Sequence, residues 1–302
     1  MSLFSFMGTL EIGFIFGLVA VGVYLTFRVL DFPDLTVDGS FTMGAALAAA
    51  LIIAGVNPYI ATLCAAIGGA TAGLMTAWLN LRFNILHLLA SILTMTALYT
   101  INLRIMGKPN LALIMEDTVL TPFEVLGIPA MYLKLIFVAV VVILVGLMIA
   151  YFLNTQYGMA MRATGANPRM AQANGIVVNA KIYAGLALSN GLVALAGALF
   201  AQTNGFADST MGIGTIVVGL AAVIVGESLF NSRSMLVIVF SCIIGSLLYR
   251  LAVSVALNAD FLGFTASDLN LITAVLVGLA LIVPHLRREQ KARKAAAAGG
   301  EA

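Results

Sequence analysis

Charge is scarce in this chain of 302 residues: only 9% of its residues are Asp, Glu, Lys or Arg, whereas 62% are hydrophobic. A soluble domain carries about 25% charged residues, so the composition excludes a protein whose whole surface faces water. Several apolar runs reach roughly the 20 residues that a helix needs to cross a bilayer. The sequence therefore predicts an all-α polytopic membrane protein.

Residues that carry enzyme or metal chemistry are also few. Cys64 and Cys242 both lie in apolar runs and are expected to be buried thiols, which argues against a disulfide or a metal site. His87 and His285 have no His or Cys near them in the sequence. A phosphate-binding G-x-x-x-x-G-K-[ST] loop is absent, and no paired acid and base can be assigned. The chain is predicted to be no enzyme and to hold no cofactor or metal.

The apolar runs predict about nine spans, with eight to ten as the range. The predicted spans are 6–27, two between Asp38 and Arg82, 85–105, 135–153, 182–202, 213–226, 235–249 and 269–286. The seventh of these, 213–226, is short and is interpreted as a candidate broken or re-entrant segment. Residues 1–286 are predicted to form one transmembrane domain, and residues 287–302 a basic, disordered tail.

Lysines and arginines predict the orientation, because they concentrate in cytoplasmic loops. The tail is rich in both, which predicts a cytoplasmic C-terminus. Counting spans backwards places Arg162, Arg169 and Lys181 inside, and the acidic segment 107–131 outside. With nine spans, Met1 would lie outside, whereas one further broken span would reverse it. The side on which the N-terminus lies is left open.

The polar residues predicted to lie within spans are neutral. Those selected as candidate pathway-lining residues are Ser40, Thr42, Ser91, Thr94, Asn102 and Asn190. We expect no acid or base near the centre of any span, which argues against an ion-coupled secondary carrier, since such proteins usually keep one there. A path for a neutral or zwitterionic solute fits this set. Ordinary helices whose Ser and Thr hydroxyls bond their own backbone fit it as well.

The stretch "RATGANPRMAQANGI", residues 162–176, is polar although it lies between two long apolar runs. Asn167 is predicted to cap a short helix of about 167–174 that begins at Pro168, a residue favoured at the first helical position. Gly175 is predicted to end it in a left-handed conformation. The side chains expected to face the cytosol are those of Arg162 and Arg169, and the expected apolar face consists of Met170, Ala171 and Ala173. A basic connector without a docking role is the alternative.

The run from Gly158 to Leu199 resembles the conserved cytoplasmic region of permease subunits in the branched-chain amino acid, ribose and nucleoside class of ABC importers. The matching residues are Arg162, Gly165, Asn167, Ala171, Gly175, Ile176, Gly191, Ala194 and Gly197. Asn190 and Met170 depart from the commoner residues of that pattern. The segments "LDFPDLTVDGSFTMGAA", residues 30–46, and "VVGLAAVIVGESLF", residues 217–230, are similar to two further segments of these permeases.

This resemblance implies a permease subunit of the inner membrane that works with other chains. The implied partners are a second permease subunit, as a homodimer, a dimer of cytosolic ATPases that binds ATP and Mg²⁺, and an extracytoplasmic substrate-binding protein; no nucleic acid is involved. The region 154–181 would couple the permease to the ATPase through Arg162, Gly165, Asn167, Pro168, Arg169, Ala171, Gly175 and Ile176. The implied solute is an amino acid, in particular an aromatic one. The alternatives are a ribose or nucleoside permease of the same class and an ion-coupled secondary transporter.

Overall fold

The computed structural model describes residues 3–125, 127, 129–230, 232, 234–257, 275 and 278. Of the predicted ninth span, 269–286, only residues 275 and 278 fall within this set, and the predicted basic tail falls outside it. The described residues are mostly helical. The elements are α1 Leu3–Tyr24 with a π-helical turn Leu25–Val29, α2 Thr36–Ile53, α3 Pro58–Phe83, α4 His87–Met106, β1 Asn110–Ala112, α5 Thr121–Glu124, α6 Ala130–Asn154, α7 Gln156–Ala166, α8 Pro168–Ala173, α9 Val178–Asn204, β2 Phe206–Asp208, α10 Thr215–Leu229 and α11 Met235–Leu257.

Seven of these helices are long and apolar enough to cross a membrane: α1 with its π-helical turn, α2, α3, α4, α6, α9 and α11. They coincide with the first six and the eighth of the predicted spans, so the prediction of an all-α polytopic membrane protein is confirmed. At the seventh predicted span the structure has α10, which contains 15 residues. At about 1.5 Å per residue this helix is too short for a hydrocarbon core of about 30 Å.

The centre of the bundle is built from α1, α2 and α9. Along α9 the neighbouring helices approach so closely that some contacts need glycine. A side chain at Gly44 of α2 would overlap the Ala194 carbonyl, and one at Gly73 of α3 would overlap the Leu186 carbonyl. Small residues at such contacts let helix backbones touch in lipid, where packing rather than water exclusion drives association.

The helices α3, α4 and α6 lie at the periphery and present most of their side chains outwards. Their exposed residues are largely Leu, Ile, Val and Met, as expected for faces that contact lipid or another subunit. Cys64 of α3 is exposed on this surface, so the prediction that it is buried is wrong, whereas Cys242 of α11 is buried as expected. Because both faces of these helices are apolar, the sequence alone does not indicate which face packs against the protein.

The predicted acidic outer segment 107–131 has more structure than a loop. The strands β1 and β2 form an antiparallel pair in which Leu111 lies opposite Ala207. Further along, the Val119 amide N–H donates to Oε1 of Gln202 at 3.1 Å, and the Tyr59 hydroxyl donates to the Val119 carbonyl at 3.1 Å. These bonds attach the segment to the beginning of α3 and to the end of α9, which lie side by side.

Candidate functional site

A buried polar cluster lies where α2, α3 and α9 meet, and two of the candidate pathway residues belong to it. The Ser40 hydroxyl donates to Oδ1 of Asn190 at 2.7 Å. Both side chains are fully buried. Asn190 lies near the midpoint of α9, the 27-residue helix Val178–Asn204. The polar contact therefore lies deep within the span and not at an interface.

Asp34 completes this cluster, which sequence reasoning missed. The Asn190 amide donates from Nδ2 to Oδ2 of Asp34 at 2.7 Å, and the Thr36 amide N–H donates to Oδ1 at 2.9 Å. The Thr36 hydroxyl in turn lies 2.7 Å from that of Thr76 on α3. The carboxyl of Asp34 is 0% exposed. Asp34 lies between the spans 3–29 and 36–53, but its carboxyl reaches the middle of α9.

A break in the helical path brings Asp34 to this depth. The chain leaves the π-helical turn at Val29 and becomes helical again only at Thr36. A side chain at Gly185 would overlap Leu30, so the non-helical stretch 30–35 runs beside the first half of α9. Such backbone is tolerated at membrane depth only where protein surrounds it. Pro33 is the local signal in the sequence for this break, because proline disfavours a continuous helix.

Two other candidate pathway residues also connect helices. The hydroxyl of Thr42 on α2 accepts a hydrogen bond from the Gly212 amide N–H at 3.1 Å, just before α10. Asn102 of α4 donates from Nδ2 to the carbonyl oxygen of Gly39 at 3.1 Å, and its buried Oδ1 has no partner among the described residues. These contacts fix α4 and the start of α10 to the first turns of α2.

Ser91 and Thr94 do not join the cluster. Their hydroxyls donate to carbonyl oxygens of their own helix, those of Leu88 at 2.9 Å and Ala90 at 3.0 Å. Thr94 also lines a cavity of about 250 Å³ between α2, α3 and α4, whose other walls are mostly apolar. For these two residues the structure matches the ordinary-helix alternative.

The polar stretch after α6 forms two short helices, α7 and α8, joined by Asn167. Asn167 has extended backbone (φ −160°, ψ 97°), and its Oδ1 accepts the Met170 amide N–H at 3.0 Å. The far end of α8 is closed by two backbone bonds, from the Gly175 N–H to the Gln172 carbonyl at 2.9 Å and from Ile176 to Ala171 at 3.0 Å. With Gly175 at φ +78°, this is a Schellman motif. A capped helix thus lies where the sequence predicted one.

The predicted coupling residues divide into two groups. Asn167, Pro168, Arg169 and Gly175 are exposed, whereas Ala171 is buried and Ile176 half-buried. Met170 is 64% exposed, so it does not form the inward apolar face predicted for it together with Ala173, which is also exposed. Its exposure makes it an additional contact candidate. Only Ala171 packs inwards, because a six-residue helix turns too little chain to bury a whole face.

Arg162 and Gly165 lie on α7 and point towards the protein. Arg162 is half-buried, and its Nε is buried without a hydrogen-bond partner among the described residues, so part of its side chain lies against the protein. A side chain at Gly165 would overlap the Val29 carbonyl oxygen. The sequence was interpreted as a loop here, but α7 packs against the end of α1 and so reaches the start of the non-helical stretch 30–35.

A cation–π contact holds α7 to the beginning of α9. The Lys181 Nζ lies 3.2 Å from the centroid of the Tyr157 ring, and the Tyr157 hydroxyl donates to the Ala180 carbonyl at 3.3 Å. The segment 154–181 is therefore a folded surface that contacts the π-helical turn after α1 and the beginning of α9.

Comparison with known proteins decides the family. The model of a family described as branched-chain amino acid transport system, permease component, matches residues 5–283. The chain belongs to this family. It is 40% identical over 263 residues to the tyrosine transport system permease protein of Clostridioides difficile, which covers 87% of this chain and 85% of that protein. It is 33% identical over 267 residues to an uncharacterized protein of Rickettsia prowazekii, which covers 86% and 91% of the two chains.

Among solved structures, PsaBC from Streptococcus pneumoniae in complex with Fab is similar in fold. The TM-score is 0.50 at 15% sequence identity, with 90% of this chain and 89% of that chain covered. The resemblance to the permeases of ABC importers is thus confirmed by the family match, and the chain is a transport permease and not an enzyme. Family membership, rather than the neutral polar residues of the spans, is the reason to set aside an ion-coupled secondary carrier.

Proposed function

We propose that this permease imports an amino acid, with aromatic amino acids such as tyrosine as the first candidates. The observation that carries the proposal is the 40% identity to a tyrosine transport system permease over 87% of the chain. The buried cluster is compatible with such a solute, because its amide, hydroxyl and carboxyl groups can bond both an ammonium and a carboxylate group. Asp34, Ser40 and Asn190 are our candidates for residues that the solute passes.

The proposed assembly contains two copies of this chain, two ATPase subunits and an extracytoplasmic binding protein. ATP and Mg²⁺ would be bound by the ATPase subunits. The C-terminus and the segment 154–181 would face the cytoplasm, and β1, β2 and the segment 113–125 would face the binding protein. The apolar outward faces of α3, α4 and α6 leave room for both lipid and a second copy.

The proposed coupling route begins at α8. Its exposed residues Asn167, Arg169 and Met170 would contact the ATPase, and α7 would transmit the displacement, because Gly165 lies against the Val29 carbonyl. Val29 ends α1 and leads directly into the stretch that carries Asp34. A movement of α7 would therefore reach the buried cluster through packed backbone.

A ribose or nucleoside permease of the same class is the second candidate, since hydroxyl and amide groups of the cluster also suit a sugar. Uptake assays separate the two. Cells expressing the permease with the ATPase and binding protein encoded beside it should accumulate labelled tyrosine, and unlabelled phenylalanine should compete while ribose and uridine should not. Competition by ribose with no tyrosine uptake would replace the proposal by the second candidate. Uptake that persists without the ATPase would refute both.

A further inference from the structure

The short helix α10 begins beside α2, and that helix provides its N-terminal cap. Its N-cap residue is Gly214, which has no side chain to accept a hydrogen bond and has φ +82°. The first N–H groups of a helix lack partners within it and need acceptors when water is excluded. The N–H groups of Gly214 and Ile216 find both acceptors on one carboxylate of α2. They donate to Oδ2 and Oδ1 of Asp38 at 3.0 Å and 2.8 Å.

Thr42, one helical turn after Asp38, provides the third bond of this contact. Its hydroxyl accepts the Gly212 amide N–H at 3.1 Å. A side chain at Gly212 would overlap the Asp38 carbonyl oxygen and the Thr42 hydroxyl, so the two backbones pass at the closest distance that glycine allows. We call the three bonds from Asp38 and Thr42 to residues 212–216 the clasp. They attach the start of α10 to the first turns of α2.

The clasp also explains how the Asp38 carboxylate is accommodated in the protein. Asp38 lies in the first turn of α2 and at the N-terminus of α10, so it faces the positive ends of two helix dipoles. Hydrogen bonds from N–H groups to a carboxylate are stronger than those to neutral acceptors. Separating α10 from Asp38 would leave two backbone donors and a carboxylate without these partners.

The rest of α10 packs closely against α1 and α11 through small residues, and it contacts α2 mainly at its beginning. Gly219 faces Val19 and Val23 of α1, and Gly226 lies against the Ser241 carbonyl of α11. At its other end, Glu227 forms an ion pair with Arg28, which belongs to the π-helical turn of α1. Arg28 is adjacent to Val29, the residue against which α7 packs. The proposed coupling segment and the clasp are thus connected to opposite ends of the same short helix.

We propose that Asp38 and Thr42 are positioning residues whose clasp holds α10 in the resting conformation, and that each transport cycle requires the clasp to open. The proposal rests on the proposed ATP-driven import, and it names the element that moves. Displacement of α7 would shift Val29 and Arg28, pull on Glu227 and draw α10 away from α2. Closing the clasp again would restore the resting state.

Hydrogen–deuterium exchange tests the clasp directly in the purified full-length permease. Asp38→Asn should speed exchange in a peptide covering residues 209–217 about tenfold, and Thr42→Val about fivefold, as expected for losing charge-assisted and neutral bonds. Thr96→Val is the matched control, because its hydroxyl bonds only the Ile92 carbonyl of its own helix on an exposed face. Exchange in residues 186–194 of α9 should not change in any variant.

The functional arm uses the permease assembled with its ATPase. Both clasp variants should hydrolyse ATP faster without binding protein, by the same factors as the exchange rates, and should import less solute per ATP, whereas Thr96→Val should behave as wild type. Wild-type exchange in both clasp variants would overturn the proposal, and so would fast exchange with unchanged hydrolysis and uptake. If Asp38→Asn does not accumulate, Thr42→Val decides alone. A wild-type complex that never responds to a loaded binding protein refutes the proposed function instead, and the exchange result still decides whether the clasp exists.

Discussion

Asn167 offers the sharpest test of the coupling segment, because one side-chain atom caps a helix of six residues. Replacing Asn167 by Ala removes the 3.0 Å bond from the Met170 N–H and leaves the transmembrane packing untouched. The loss of such a cap costs about 1 kcal/mol, which lowers the folded population of a marginal helix about fivefold. Gly175→Val should cost more, since a residue with a Cβ is strained by roughly 1–2 kcal/mol in the left-handed region and Gly175 has φ +78°.

The assay is co-purification of the ATPase subunits with tagged permease, together with solute uptake. We expect near-normal permease levels in both variants. ATPase retention and solute uptake should both fall, and Gly175→Val should lower them more than Asn167→Ala. Asn204→Ala is the matched control, because it removes a bond to the Phe200 carbonyl at the opposite end of α9. Normal retention and uptake in both variants would refute the docking role and leave a basic connector. Gly165→Val is unsuitable as a docking probe, since its side chain would collide with Val29 and disturb the bundle.

Three further predictions concern other parts of the molecule. Asp34→Asn should lower the melting temperature of the purified permease, because its single amide oxygen cannot accept from both the Thr36 N–H and the Asn190 Nδ2; Asp31→Asn, at an exposed position, should not. In a Cys64→Ser background, Glu116→Cys should react with an impermeant maleimide added to intact cells and Arg169→Cys should not; labelling of the latter would reverse the proposed orientation. The purified assembly should contain two permeases for two ATPases, and a mass corresponding to a single permease would contradict the homodimer.

Local patterns were sufficient to predict the helices and the caps of α8. The apolar runs mark the seven long helices, and Asn167, Pro168 and Gly175 each lie where their backbone preferences place them. These features depend on residues close together in sequence, so local patterns are enough to predict them.

Depth and long-range contacts could not be predicted in this way. Asp34 reads as a loop residue because its donor, Asn190, lies 156 positions later. Gly165 reads as part of a docking motif because nothing local indicates that α7 meets Val29. The contact between α10 and Asp38 depends on acceptors 176 positions before the donor. In each case the contacting residue belongs to a segment distant in sequence, and the periodicity of apolar residues does not predict the contact.

The break between α1 and α2 has a consequence for how the protein is made. The aspartates at 34 and 38 are synthesised long before Asn190, Gly214 and Ile216, which supply their hydrogen-bond donors. A carboxylate is costly to bury in a bilayer until its hydrogen-bond donors are present. The first hairpin should therefore stay shallow in the bilayer, or remain sheltered by the insertion machinery, until α9 and α10 emerge. Chains truncated before α9 should be degraded, although their first two apolar segments are complete.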